Sequence, residues 1–224
     1  MSCQNSDLGS TVANLLRTSD GLSTAEVSSG LKQALNQGVS AGVAELSQEN
    51  GFFESAFRIG TPPEAEPVFR RLRAMPGFRD LENEVLRRIN QGAEDAVVKA
   101  GPIFAAAIND LEFTDALEIL RGEDNAATQY LRQATYQSLF EAFQPDIRDS
   151  LDRFAAQELW EQAITRYNRL PLVTPIESEL DRYVTEQALD GLFRMIAAKE
   201  LEIRQDVSAR TTDLLRLVFA RQDG

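Results

Sequence analysis

The helical pattern of this chain is clearest in residues 24–47, which read TAEVSSGLKQALNQGVSAGVAELS. Large apolar residues recur there at every fourth position: Val27, Leu31, Leu35, Val39 and Val43. This spacing places them on one face of an α-helix, which can then pack against a core. The stretch therefore predicts an amphipathic helix, and most of the chain repeats the same period.

A second ridge of this helix contains only small residues, namely Gly30, Ala34, Gly38 and Gly42. Glycine inside a helix costs roughly 0.5–1 kcal/mol relative to alanine, so glycines at this spacing need a reason. The first interpretation is that another helix approaches closely here, ridge into groove. The alternative is a groove left open for a ligand.

The other predicted helices follow from the same apolar period. They span residues 62–75, 79–99, 103–111, 115–121, 125–143, 145–154, 158–169, 175–205 and 209–221. We therefore predict one all-α domain of eight to ten helices over residues 22–221, preceded by a flexible tether over residues 1–21. Helix 175–205 is predicted to be the longest, with a buried centre, because residues 188–198 are apolar almost all round.

Polar residues and prolines mark several predicted helix starts. Three pairs fit the capping box, in which two side chains satisfy each other's backbone donors: Ser23 with Glu26, Thr61 with Glu64, and Thr174 with Glu177. Pro62 and Pro175 fit the first position of a helix, where the missing N–H costs nothing. Asp124 is expected to cap its helix, and Pro145 to open another. We assign these residues to helix initiation rather than to chemistry.

Composition excludes several classes of function. The 224 residues contain no histidine and a single cysteine, so neither a Ser-His-Asp nor a Cys-His nucleophile can form. The 23 Lys and Arg residues against 35 Asp and Glu residues give a net charge of −12, which repels nucleic-acid phosphates. The sequence also lacks a glycine-rich nucleotide motif, a Cys-x-x-Cys pair and an apolar run of roughly 18 residues. We expect no cofactor, no metal and no nucleic-acid partner.

The N-terminus carries the lone cysteine, Cys3, in the polar segment MSCQNSD. This arrangement looks like a mature bacterial lipoprotein, in which an N-terminal cysteine carries acyl chains. The alternative is an incidental exposed thiol. On the lipoprotein interpretation, Gln4 rather than aspartate follows the cysteine, which favours the outer membrane. Membrane association is then expected only through this anchor.

One candidate site lies in the predicted helix 175–205. Asp190 falls within its apolar run, and a buried carboxylate needs a partner to stay charged. Glu186 and Arg194 stand four residues to either side. A structural ion network is one interpretation of the three, and a functional site is the other.

Two arginines near the C-terminus are further candidates. Arg204 stands four residues after Glu200, which favours an ion pair on one helix face. Arg210 stands near the start of the last predicted helix, where the helix dipole is unfavourable to a cation. We therefore expect Arg210 to reach a carboxylate elsewhere or an anionic ligand.

Several segments of the chain resemble a known family. They are residues 51–53 with 58–59, residues 102–108 leading into 114–120, residues 126–128 with Tyr130, and residues 183–193 followed by 200, 203–204 and 209–212. Together, over roughly residues 22–219, they resemble a family of bacterial helical proteins classed as a domain of unknown function, many with secretory or lipoprotein leaders. Departures are small: Val207 replaces a proline, and Gly60-Thr61 replaces Pro-Leu.

The resemblance implies location more than activity. It implies a single all-α domain in the envelope of a Gram-negative bacterium, and it supports lipidation of Cys3. It supplies no catalytic residue.

The first functional hypothesis is a non-enzymatic periplasmic protein, lipid-anchored to the outer membrane, that binds a small molecule, a lipid-like ligand or a protein partner. The candidate ligand-binding residues are Arg58, Asp115, Thr128, Tyr130, Asp190, Arg204 and Arg210. Arginine offers a rigid fork for a carboxylate or phosphate, and tyrosine an amphipathic wall. Two alternatives stay open: a carboxylate-dependent hydrolase using Asp115, Asp190 or Glu200, and a structural role in which the polar residues fix helix register.

Overall fold

The computed structural model of the protein describes residues 24–176 and 179–220. Cys3, Ser23 and Glu177, to which the sequence analysis assigns roles, lie outside the described residues.

The described residues are mostly helical. Their α-helices are α1 (Thr24–Leu46), α2 (Glu66–Leu72), α3 (Leu81–Ala96), α4 (Ala100–Asp110), α5 (Phe113–Arg121), α6 (Ala126–Arg153), α7 (Ala156–Asn168), α8 (Leu180–Gln205) and α9 (Asp213–Phe219). Short 3-10 turns occupy Pro63–Ala65, Val97–Lys99 and Val207–Ala209. No strand occurs in the two described ranges, so the all-α prediction and the predicted number of helices are confirmed.

Helix α8 lies at the centre of the domain. It packs against α6 on one side and α1 on another, and α1 also contacts α4, α5 and α9. Helices α3 and α6 pack together, and both contact α7. The middle of α8 is buried on most sides by these neighbours, through Ala188, Leu189, Leu192, Phe193, Met195 and Ile196. The predicted burial of this segment is confirmed.

The small-residue ridge of α1 faces α8 and α9. A Cβ added to Gly30 would lie 2.5 Å from Val218 Cγ2, and one added to Gly42 would lie 3.1 Å from Met195 Cγ. Glycine at these positions therefore lets the other helices approach α1 closely. The first interpretation of the ridge is confirmed. The ligand-groove alternative is wrong, because α8 and α9 cover the ridge and leave only a cavity of about 20 Å³ beside Ala34 and Gly38.

Pro145 lies inside a helix rather than opening one. Helix α6 runs unbroken through it for 28 residues, so the two predicted helices 125–143 and 145–154 are one. Proline deprives the carbonyl four residues earlier, that of Glu141, of its N–H donor. Both residues are exposed, so water can bond that carbonyl. Helix α6, not α8, is consequently the longest helix of the described residues.

The start of α8 lies five residues later than predicted, at Leu180 instead of Pro175. The side-chain amide of Asn168 on α7 exchanges two hydrogen bonds with the backbone of Ile176, at 3.0 and 3.1 Å. These bonds hold the connector beside α7 and leave the backbone of Ile176 outside a helix.

The helical segment after Thr61 also starts differently from the prediction. It begins as a 3-10 turn at Pro63, and Pro62 precedes it without a capping side chain. The predicted capping box of Thr61 with Glu64 is therefore wrong. The Thr61 carbonyl instead accepts a hydrogen bond from the hydroxyl of Tyr183 on α8, at 3.2 Å, so a tertiary contact fixes this position.

Candidate functional site

The carboxylate of Glu200 on α8 caps the N-terminus of α6. It accepts hydrogen bonds from the backbone N–H groups of Ala127 and Thr128, at 3.0 and 2.8 Å, and from the Thr128 hydroxyl at 2.7 Å. The first N–H groups of a helix have no partner within it and carry partial positive charge. The prediction of Asp124 as the cap is wrong, because the N-cap is Asn125 and its own side chain makes no capping bond.

Arg204 joins Glu200 to the C-terminal end of α5. Its Nη2 lies 2.8 Å and its Nε 2.9 Å from Oε1 of Glu200. The same guanidinium donates to the carbonyls of Ile119 at 2.9 Å and Leu120 at 3.3 Å. These carbonyls belong to the last turn of α5, which lacks donors within the helix. The predicted pair of Glu200 with Arg204 is confirmed, and both side chains are buried.

Arg210 binds the C-terminal end of α8. Its Nε donates to the carbonyl of Ile203 at 2.9 Å, and its Nη2 to that of Arg204 at 2.8 Å. The residue is fully buried. The ring of Phe219 lies beside both arginines, with its centroid 5.9 Å from each guanidinium carbon. These contacts place Arg210 at a helix end inside the core.

Thr128, Glu200, Arg204 and Arg210 thus form one buried group, which we call the helix-end cluster. Beside it lies a cavity of about 20 Å³, walled mainly by apolar side chains of α1 and α8. That volume holds about one water molecule. Every buried side-chain nitrogen and oxygen of the described residues has a hydrogen-bond partner. The polar groups of the cluster are therefore satisfied by the protein itself.

Asp190 lies at the surface, not in the core. Its side chain is 43% exposed and pairs with Arg132 of α6 at 3.3 Å. Glu186 pairs with Arg182, and Arg194 joins neither carboxylate. The predicted network of Glu186, Asp190 and Arg194 is wrong, because these positions form an exposed stripe of α8 whose charges reach other neighbours.

Asp115 and Tyr130 line a depression that is open to solvent. Its other walls include Glu118, Ile119, Gln129 and Gln133. Burial raises the pKa of Tyr130 above its ordinary value, and the carboxylates of Asp115, Asp110 and Glu112 raise it further. The carboxylates considered for a hydrolase thus occupy different settings: Asp115 lies in this depression, Asp190 in a surface ion pair, and Glu200 in the buried cluster.

The loop of residues 47–60 is fastened to α3 by two buried polar side chains that the sequence analysis missed. Glu94 accepts hydrogen bonds from three backbone N–H groups, those of Asn50, Phe52 and Phe53, at 3.1–3.4 Å. Asn90 exchanges two bonds with the backbone of Ile59, at 2.8 and 2.9 Å. The one sequence feature that could have indicated them is the spacing of Asn90 and Glu94, which stand four residues apart on α3, next to its buried apolar residues.

The pKa of Glu94 is raised above its ordinary value. Burial raises it, and the three backbone N–H groups that bind the carboxylate offset only part of that effect. Glu49 adds a small repulsion in the same direction. The loop is therefore held by a carboxylate whose hydrogen bonds are all directed at loop backbone.

Arg58 extends from this loop over an aromatic ring. Its guanidinium carbon lies 4.2 Å from the centroid of Phe53, and that of Arg87 on α3 lies 4.9 Å from the same centroid. Arg194 of α8 stacks similarly on Phe57, at 5.3 Å. The predicted site residue Arg58 is thus exposed. It belongs to a group of arginines that lie over aromatic rings, and it is not part of the helix-end cluster.

Comparison with known families identifies the chain. The sequence model of the family described as "Protein of unknown function (DUF4197)" matches residues 21–220. The chain belongs to the DUF4197 family. This match confirms the resemblance to a domain of unknown function. Neither the curated proteins nor the solved structures contain a match to the chain.

Two further features of this DUF4197 domain bear on its chemistry. The described residues contain no group of three or more His, Cys, Asp or Glu side chains that could hold a metal ion. None of the helices within the two described ranges is long and apolar enough to cross a membrane.

Proposed function

We propose that this protein is a non-enzymatic interaction module that binds a protein partner through its surface. The observation that carries the proposal is the closed helix-end cluster, in which Glu200, Arg204 and Arg210 direct their polar atoms to the ends of α5, α6 and α8. The adjoining cavity measures about 20 Å³, whereas small-molecule pockets typically measure about 300–1,000 Å³. The cluster therefore supports the fold, and binding falls to the exposed surface.

Location forms a second part of this proposal. We place the protein in the periplasm of a Gram-negative bacterium, anchored to the outer membrane through lipid on Cys3. The lone cysteine at the front of a polar segment supports this location, and so does the resemblance to a family with lipoprotein leaders. In the native host, the mass of the denatured chain should show acyl groups on Cys3, and Cys3→Ser should release the protein from membranes. An unacylated Cys3 in that host contradicts the anchor.

Photo-crosslinking in the native host tests the interaction itself. A photoreactive amino acid is placed, one variant at a time, at exposed positions on different faces, such as Glu54, Gln129 and Leu172. We expect a discrete adduct with another protein from one face and none from the opposite face, whose variants serve as matched controls. The proposal is contradicted if all positions yield only the free chain.

A further inference from the structure

Three arginines around the loop of residues 47–60 form no ion pair with any carboxylate in the described part of the chain. They are Arg58 in the loop, Arg87 on α3 and Arg194 on α8, and all three are exposed. None of them takes part in an ion pair among the described residues. On a chain with a net charge of −12, these are guanidinium groups that the described acidic side chains leave unpaired.

Aromatic rings hold these arginines in place. Arg58 and Arg87 share the ring of Phe53, at 4.2 and 4.9 Å from its centroid, and Arg194 lies 5.3 Å from that of Phe57. A guanidinium near an aromatic ring is attracted by the ring's π-electrons and can still donate its N–H groups to an anion. Nη2 of Arg194 also donates to the loop carbonyl of Ala56, at 3.3 Å. We call the three arginines and two rings the arginine surface.

The loop beneath the arginine surface is firmly seated. Phe52 is fully buried, and a Cβ added to Gly191 of α8 would lie 2.9 Å from its ring, so the ring rests directly on that helix. Glu94 and Asn90 bind the loop backbone on either side of Phe57. A surface that is already ordered loses little conformational entropy when a partner binds.

Within the described residues, the acidic side chains in and beneath the loop form no ion pair with the arginine surface. The carboxylate of Glu94 is directed at backbone N–H groups. The loop's own Glu49 and Glu54 form no ion pair with the three arginines in the described part of the chain. An approaching anion therefore meets guanidinium groups without first displacing a carboxylate.

We propose that the arginine surface docks an acidic segment of a partner protein, a short stretch rich in Asp and Glu. The inference rests on the proposed function and specifies the chemistry of its partner. A guanidinium binds a carboxylate through two parallel hydrogen bonds, and arginine beside aromatic residues is typical of the central residues of protein interfaces. Anionic lipid is recognised instead by clusters of about 4–8 basic residues, more than the three arginines gathered here.

Fluorescence anisotropy with a labelled peptide of alternating Glu and Gly tests the proposal on the full chain. The site variant carries Arg58→Gln, Arg87→Gln and Arg194→Gln. The matched control carries Arg121→Gln, Arg166→Gln and Arg169→Gln, three exposed arginines that also lack an ion pair among the described residues. Both variants change the net charge equally.

The expected result is that the site variant weakens peptide affinity about tenfold or more, while the control changes it by about twofold or less. Phe53→Leu, which keeps all three charges, should weaken it by an intermediate factor, because the ring no longer holds two of the arginines. Circular dichroism melts confirm that each variant stays folded. Equal losses from both triple variants would show a general charge effect and overturn the proposal, and so would a wild-type chain that leaves the peptide unbound.

Phosphatidylglycerol vesicles provide the competing outcome. The proposal is also overturned if the wild-type chain binds these vesicles but not the peptide, and if the site variant no longer binds the vesicles. A failure of the arginine-surface proposal can be told apart from a failure of the proposed function. A crosslinked partner elsewhere on the surface, combined with no peptide binding, removes only the arginine surface, whereas the absence of any crosslinked partner removes the proposed function.

Discussion

Replacing Arg204 by methionine should destabilise the protein strongly, because it removes the central member of the helix-end cluster. The arginine contacts Glu200 twice and donates to the carbonyls of Ile119 and Leu120. Methionine keeps an apolar stem but offers no donor. Glu200 then stays buried without its cation, which typically costs about 3–5 kcal/mol. Two backbone N–H groups of α6 still bind Glu200, so we expect the lower end of that range.

Arg132→Met is the matched control. It removes the same chemical group from another arginine–carboxylate pair, that of Arg132 with Asp190, whose side chains are 45% and 43% exposed. Water screens such a pair and solvates both partners when it breaks, so exposed pairs contribute only about 0–1 kcal/mol. The difference between the two substitutions measures what the buried contacts of Arg204, with Glu200 and with the two carbonyls, add beyond those of an exposed pair.

The double substitution Glu200→Gln with Arg204→Met separates charge from packing. It removes the buried charges of Glu200 and Arg204 together, while Arg210 keeps its own, and the amide oxygen of glutamine can still accept a hydrogen bond from α6. We expect the double variant to lose about 1–2 kcal/mol less than the sum of the two single losses, as is usual for residues in one network.

Urea unfolding of the full chain, followed by far-UV circular dichroism, measures these free energies. The comparison requires that the free energy of unfolding falls with urea concentration at the same slope in every variant. A loss from Arg204→Met no larger than that from Arg132→Met would contradict a stabilising role of the helix-end cluster, and so would additive single losses in the double variant.

Two further predictions concern helix packing and acid stability. Gly30→Ala should destabilise by about 1–2 kcal/mol, because its Cβ would lie 2.5 Å from a side-chain carbon of α9, while Gly38→Ala on the same helix should stabilise by roughly 0.5–1 kcal/mol. A loss at both positions in thermal unfolding would contradict this account. Burial alone would raise the pKa of Asp181, but hydrogen bonds, led by that of Arg148, bring it below the ordinary 3.8. Asp181 therefore adds stability above pH 3.8 that is lost as pH falls through its folded-state pKa. In Asp181→Asn, the free energy of unfolding should depend less steeply on pH in the acid range. Asp213→Asn, at a 99% exposed carboxylate, is the matched control, and similar acid-side curves for the two variants would refute the role of Asp181.

Local features of this fold could be predicted from sequence because a few residues determine them. The apolar period defined the helices, and the four-residue spacing of Glu200 and Arg204 predicted their ion pair. The small ridge of α1 indicated close helix contact, which the positions of Val218 and Met195 confirm. Pro145 misled the prediction because a proline interrupts one hydrogen bond but not the packing of a long helix.

Long-range features of the candidate site could not be predicted in the same way. Glu200 caps a helix whose start lies more than 70 residues earlier in the chain, and no sequence period encodes that contact. Asp190 lies within an apolar run and yet emerges at the surface, because it falls on a side of α8 that the described neighbouring helices leave open. Arg87 joins Arg58 at a shared ring only because the loop folds back onto α3.

We propose that the helix-end cluster supports the fold and that binding takes place at the exposed surface. The decisive experiment is native mass spectrometry of the full chain, purified from its own host and measured again after denaturation. We predict that the native mass equals that of the denatured chain, or a whole multiple of it, with any lipid on Cys3 present in both measurements. A small-molecule mass that disappears on denaturation would contradict the claim.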